Sequence, residues 1–451
     1  MAPHPRIRHL FLDWDGTLTT QDTLSLVASI GYAHHHHHHH HLHQLQQQQQ
    51  QHEQQQTTAP GSSATPSTEA DTTPPLPPWT HFSDAYMHDY AQHARTREKE
   101  EQGGQSSTTP LTPPIRKTPL SRRLGFLNGL RPVERRSVER VERAGVFRGV
   151  TGAEVWRAAG QMVGSGEVRL RAGCEGVVAL GMGTRTAAGG VGVGVGSAGA
   201  GATTRRGRGR GGAQMDISIV SVNWSAEFIR ACLAGATGKA LQGGEQERFQ
   251  QHQHQHQHQQ SHPLAIYAND ISDLWSATGS PTGQLNRYFG GPDGGIWTGE
   301  DKARIVRQIL KDDECAPKSG MIATPACEKG SGGEERGYVV YVGDSITDLE
   351  CLVECADVGI CVRDERMGST QRGLARALEE VGVRVDWIGE WTDNDGGGGD
   401  GGGEVGSESD SQSKGDTNRT GSRKTVWWAR DFREILDSPL MRGYRNEEQV
   451  I

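Results

Sequence analysis

The chain has 451 residues, a formal net charge of −8, and a hydrophobic fraction of only 33% alongside 61 glycines. That length would hold about two or three domains, but so apolar-poor a sequence cannot bury all of itself, so the folded part must be smaller than the whole. The acidic balance excludes a global pull toward nucleic acid or an anionic membrane, and no apolar run approaches the roughly 20 residues of a membrane span. Seven cysteines without a signal-like N-terminus point to a reducing, cytoplasmic setting.

In chain order, the apolar run Ile7–Leu12 predicts a strand, and "DWDGT" follows it at once. Asp15-Gly16 alone would also suit a simple hairpin turn. A helix is expected near Asp22–Ile30. From His34 a histidine tract passes into glutamines and then Ser/Thr/Pro-rich sequence, so 34–78 reads as a disordered insertion in which metal binding is incidental. Residues 101–119 read the same way. Between and after them lies a helical region: "WTHFSDAYMHDYAQHA", then Leu120 to about Leu180 with the apolar-periodic "AEVWRAAGQMV". Residues 183–214 form a Gly/Arg-rich linker ending in "RRGRGRGG". This stretch resembles an RNA-binding tail but lacks interleaved aromatics, which argues against nucleic acid as a partner.

"ISIVSVNWSAEFIRACLAG" reads as a strand ending at Ser221 and a helix capped by Ser225. A His/Gln insertion occupies 242–262, and Leu264–Ile309 ends in a helix carrying Lys302. "YFGGPDGGIW" lacks phosphate-loop spacing and reads as a turn or hairpin. "YVVYVGDSITDLECLVECADVGICV" reads as strand, loop, helix, strand, and its cysteines as small core residues. A Gly/Asp/Ser-rich linker at 393–421 precedes a segment, 422–451, expected to be helical. Strands alternating with helices predict an α/β fold with a parallel sheet covered on both faces. The core would comprise residues 1–30 and 215–392, with a helical cap at 31–182.

Ligands of such sheets bind beyond the carboxyl ends of the strands. Asp13, Asp15, Ser221, Asp344 and Asp348 all fall there. Taken alone, Asp344 and Asp348 fit turn chemistry followed by an aspartate at a helix start. Taken together, carboxylates at neighbouring strand ends repel unless they share a cation, and an all-oxygen site suits Mg²⁺. Lys302 could offer a compact positive charge, and Ser221 a hydroxyl, to a phosphoryl oxygen. Arg171 could meet a substrate anion, although the plainer expectation is a surface arginine. Trp14 and Trp224 could line a pocket or pack in the core.

Asp13-x-Asp15-Gly16-Thr17, Ser221 after an apolar strand, Lys302, and Gly343-Asp344-Ser345-x-x-Asp348 together resemble the four ordered motifs of the haloacid dehalogenase-like hydrolases. The likeness covers about half the chain. It implies a Rossmann-like core, a cap between the first and second motifs, and a Mg²⁺-dependent phosphatase acting on a small phosphorylated metabolite. It also implies roles: Asp13 as nucleophile, Asp15 as acid/base, and Ser221 and Lys302 on the phosphoryl oxygens. The metal would be held by Asp13, Asp15 (through its carbonyl), Asp344 and Asp348, with Asp348 as ligand or orienter. The arrangement, including "VRLRAGCEGVVAL" as the return from the cap, is similar to the phosphoserine phosphatase branch. Asn223 and Trp224 stand where that branch has small glycines, which alters the pocket wall; "VNWS" and "YANDI" resemble segments of fungal members. The alternatives are a phosphomutase or phosphotransferase of the same family, or a catalytically weak member acting as a scaffold. The substrate and oligomeric state are open on this reading.

Overall fold

The structure, a computed structural model, describes residues 6–56, 75–103, 118–181, 215–238, 264–276, 281–286, 294–315, 337–392 and 424–444. The expected linkers at 183–214, 242–262 and 393–421 lie outside these residues, as do 57–74, 104–117 and the first six residues of "YFGGPDGGIW".

A seven-stranded parallel sheet organises the fold. The strands, in chain order, are β1 (Ile7–Leu12), β2 (Asp216–Val220), β3 (Leu264–Tyr267), β6 (Tyr338–Gly343), β7 (Val358–Val362), β8 (Arg384–Trp387) and β9 (Thr425–Ala429). In space they run β3-β2-β1-β6-β7-β9-β8. A separate antiparallel ribbon pairs β4 (Asp270–Ile271) with β5 (Leu285–Asn286). The sheet strands are rich in β-branched and aliphatic residues because both faces are covered. Leu10 and Leu12 of β1 pack in one core cluster with Ile217, Ile219, Val340 and Val342. Phe11 points the other way, into a second cluster with Val220, Tyr341 and Cys361. This alternation follows the two-residue period of a strand.

Between β1 and β2 the chain inserts helices α1 (Leu24–Gln56), α2 (Trp79–Gly103), α3 (Pro119–Asn128), α4 (Arg131–Ala144) and α5 (Gly152–Ser165). Local signals fix their ends. Thr118 caps α3 with Pro119 behind it, and Thr151 with Glu154 forms a capping box on α5. Gly145 and Gly166 close α4 and α5 at φ 71° and 79°, where a side chain would be strained. Helices α6 (Cys174–Gly181), α7 (Ala226–Thr237), α8 (Gly299–Cys315), α9 (Ser369–Glu380) and α10 (Phe432–Asp437) flank the sheet. Ser225 caps α7, as its position predicts, by accepting from Phe228 N.

The structure departs from expectation in three places. The tract expected to be disordered from residue 34 is helical as far as Gln56. It continues α1 because no Gly or Pro interrupts the His/Gln run after Gly31, and His34 and His35 dock its start on Glu154 and the Gly145 carbonyl. Helix α6 packs against β2 and α10, so the insertion ends near residue 173 rather than 182. The C-terminal segment, expected to be helical, supplies strand β9 in the middle of one half of the sheet before its short helix. No helix among the described residues is long and apolar enough to cross a membrane.

Candidate active site

Strand order reverses beside β1: the chain proceeds outward through β2 and β3, then returns to the other side as β6. Such a reversal opens a crevice at the carboxyl ends of β1 and β6. Asp13 follows β1 there, its N–H donating to Val342 O at 2.9 Å. Asp344 follows β6.

The loop after Asp13 is a tight turn. Asp15 has φ −68°, ψ 126° and Gly16 has φ 72°, ψ −15°, the geometry of a type II turn. Gly16 is required twice over, because a Cβ there would also lie 2.3 Å from Asp344 Oδ2. The turn connects a strand to a helical segment, so the hairpin reading of Asp15-Gly16 falls away.

Asp13, Asp344 and Asp348 are all buried, and a carboxylate oxygen from each lies within 4.8 Å of the others. Lys302, fully buried on α8, sits between two of them, with Nζ 2.8 Å from Asp13 Oδ1 and 2.8 Å from Asp348 Oδ1. Its helix start is anchored by buried Asp301, which accepts from Trp297 N, Thr298 N and Arg131 of the helical insertion. Asp348 is saturated with donors: Tyr341 Oη and Lys302 on Oδ1, and the N–H groups of Asp344 and Ser345 with Ser345 Oγ on Oδ2. That pattern suits an orienter more than a ligand. Asp13 Oδ1 takes Lys302 and Trp14 N, which leaves Oδ2 without a partner among the described residues. Among the described residues, Asp344 accepts only from Thr17 Oγ1 at 3.1 Å and, at 3.4 Å, Thr370 Oγ1.

Electrostatics follow from this geometry. Burial, then the charge of Asp348, pushes Asp13 well above the usual carboxylate range despite Lys302. The same two causes raise Asp344 to about 7. Asp348 ends below its ordinary value, because Lys302 and its hydrogen bonds outweigh burial. Burial opposes the charge on Lys302, yet Asp13 and Asp348 together raise its pKa. Three carboxylates facing one ammonium leave an excess of negative charge in a buried space, which a proton or a cation must offset. The residues fit a divalent ion with oxygen ligands.

Asp15 stands apart from that cluster. Its Oδ1 accepts from Thr23 N at 2.7 Å and Thr23 Oγ1 at 2.6 Å, and its Oδ2 from Asn223 Nδ2 at 3.0 Å. Burial, then nearby Asp22, raises it to about 6. Ser221 is buried at the end of β2, next to β1, and its Oγ accepts from Asn223 N. Asn223, noted in the sequence only as a departure, therefore tethers Asp15. Asn269 of "YAND" ties this loop to the segment leading into α8 through the carbonyls of Asn223 and Ile296.

Arg171 corrects an expectation, since it is buried and not a surface arginine. Its guanidinium donates to the carbonyls of Thr17 and Gly16 and to Asp364 and the Arg430 carbonyl, clamping the turn that carries Asp15. Trp14 and Trp224 pack in the core. Trp14 Nε1 reaches Thr23 Oγ1, and Trp224 meets Trp79 and Phe147 edge-on. Cys351 and Cys361 are buried core thiols, as expected, whereas Cys355 is half-buried at the edge of the core. Sequence reasoning gave no role to Thr17, Thr23, Tyr341 and Thr370, although Thr17 closes the "DWDGT" motif and Tyr341 stands inside "YVVYVGD". No protein family matches the chain, and no curated protein matches it.

Proposed function

We propose that the protein is a Mg²⁺-dependent phosphatase-like hydrolase, of the haloacid dehalogenase-like kind, that cleaves a small phosphorylated metabolite through an aspartyl-phosphate. The observation that carries this reading is the meeting of Asp13, Asp344, Asp348 and Lys302 in one buried crevice, with Asp15 tethered beside it. Asp13, fixed through Oδ1, keeps Oδ2 for attack on phosphorus. The P–O bond to the leaving group breaks as Asp15 gives that oxygen a proton, and a pKa near 6 suits a group that must hold and return one. In the second half, Asp15 takes a proton from water as the water attacks the phosphoryl group on Asp13, freeing phosphate. Lys302 and Ser221 offset charge on the phosphoryl oxygens. Asp13, Asp344 and the Asp15 carbonyl would hold Mg²⁺, with Asp348 orienting them, and the ion would supply further charge neutralisation there. The helices between β1 and β2 serve as a cap. Its two connections run side by side, with Thr20 N donating to Arg169 O and Arg171 N to Leu18 O.

Product analysis with ³²P-labelled substrate tests the reaction class. The hydrolase reading expects label released as inorganic phosphate and transiently bound to Asp13. Label retained in an organic phosphate would replace it with phosphotransfer.

A further inference from the structure

A second crevice lies along the same edge of the sheet. After β7 the chain departs to α9, whose Leu374, Ala377 and Leu378 pack on the face of Tyr341 and Cys361. After β9 it departs to α10, whose Phe432 and Ile435 pack on the opposite face with Val362 and Ala429. Adjacent parallel strands whose connections leave to opposite faces part at their carboxyl ends, which is where small molecules bind in such sheets. A cavity of about 540 Å³ sits there, within the range of small-molecule sites.

Its walls are unlike those of the carboxylate crevice. Trp387 and Trp428 are register neighbours on β8 and β9, so their indoles share one face. Trp387 is 40% exposed, uncommon for so large an apolar ring. Met367 adds apolar surface. Val362 pairs with Ala429, which brings Arg363 and Arg430 side by side just beyond the strand ends. Of the cavity's other charged groups, Arg430 pairs with Glu434 and Asp364 with Arg171, while the exposed carboxylate of Glu365 lies near Arg430. Arg363 has no ion-pair partner among the described residues.

We propose that this cleft binds a planar aromatic anion, its ring on the indoles of Trp387 and Trp428 and its charged group on Arg363. Aromatic faces supply large apolar contact area, and the guanidinium supplies a planar, always charged fork for a carboxylate, sulfonate or phosphate. The proposal does not depend on the reaction proposed for the Asp13 centre, although one lining residue, Asp364, also holds the Arg171 clamp.

Calorimetric titration of the full chain with 2-naphthalenesulfonate tests the proposal. Methanesulfonate serves as the charge without the ring, and 2-naphthol as the ring without the charge. The expected result is a dissociation constant for 2-naphthalenesulfonate below about 1 mM, with either partial probe weaker by about tenfold or more. Trp387→Ala, at an exposed position, and Arg363→Gln, at a half-buried one that keeps a donor beside Cys361, should each weaken 2-naphthalenesulfonate by about tenfold while leaving the melting profile in place. No binding at millimolar concentration would overturn the proposal. So would wild-type affinity in both variants, which would place the probe elsewhere, or methanesulfonate binding as tightly as the aromatic anion.

Discussion

Lys302 holds the carboxylates of Asp13 and Asp348 together from a fully buried position. Removing one partner of a buried ion pair leaves uncompensated charge, a loss of about 3–5 kcal/mol. Lys302→Gln should therefore destabilise the protein by about that much in urea unfolding at neutral pH, and a loss well under 1 kcal/mol would mean that the lysine is not paired there. Gly16→Ala should cost activity more than stability, because the φ of 72° and the 2.3 Å approach to Asp344 both reshape the turn between Asp13 and Asp344. Wild-type turnover in that variant would contradict the turn geometry. The residues that sequence made legible are those whose motif is local: Asp13 with Asp15, and Asp344 with Asp348. Arg171 and Asn223 were illegible as partners because their contacts span long stretches of chain, such as Asn223 to Asp15. Only the sheet order brings them together.

Among the connecting elements, the segment that returns from the helical insertion to the core carries the clamp. Arg171→Met should lower phosphate release by about 10²-fold through displacement of the turn bearing Asp15, with the fold retained in circular dichroism; unchanged turnover would make the clamp dispensable. Within the helical insertion, Glu134 of α4 accepts from Tyr86 of α2, and burial raises it from an ordinary 4.5 to about 7. A carboxyl that binds its proton more tightly in the fold than in the unfolded chain stabilises the fold at low pH and loses that advantage as pH rises through its folded value. Glu134→Gln should thus raise the melting temperature by a few degrees at pH 8, with the gain fading toward pH 4. An equal gain at both pH values would show that ionisation plays no part. The helices of this insertion were legible from periodicity and caps such as Thr151 with Glu154. The length of α1 was not, because composition alone marks a His/Gln run as low in complexity without showing that it continues a helix already nucleated and docked.

In the molecule as a whole, a single parallel sheet brings together residues from 13 to 348 at one edge, and its alternating strand–helix pattern was readable in advance. Strand β9 was not. "TVWWA" is a five-residue run that follows a Gly-rich tract and precedes a helix, and its place between β7 and β8 depends on pairing that no local pattern specifies. Ending the chain at residue 392 should leave β7 unpaired on one side and β8 without its sheet neighbour, giving an aggregating product; a soluble, cooperatively melting truncation would contradict the sheet order. The central claim is that Asp13 is a nucleophile working with a divalent cation in the β1/β6 crevice. Phosphate release from an aryl phosphate, with and without Mg²⁺, for wild type and Asp13→Asn, tests it most directly. Turnover that requires Mg²⁺ and vanishes in Asp13→Asn is the expected result. Turnover surviving the substitution, or none from folded wild type across a panel of small phosphate esters, would contradict the account.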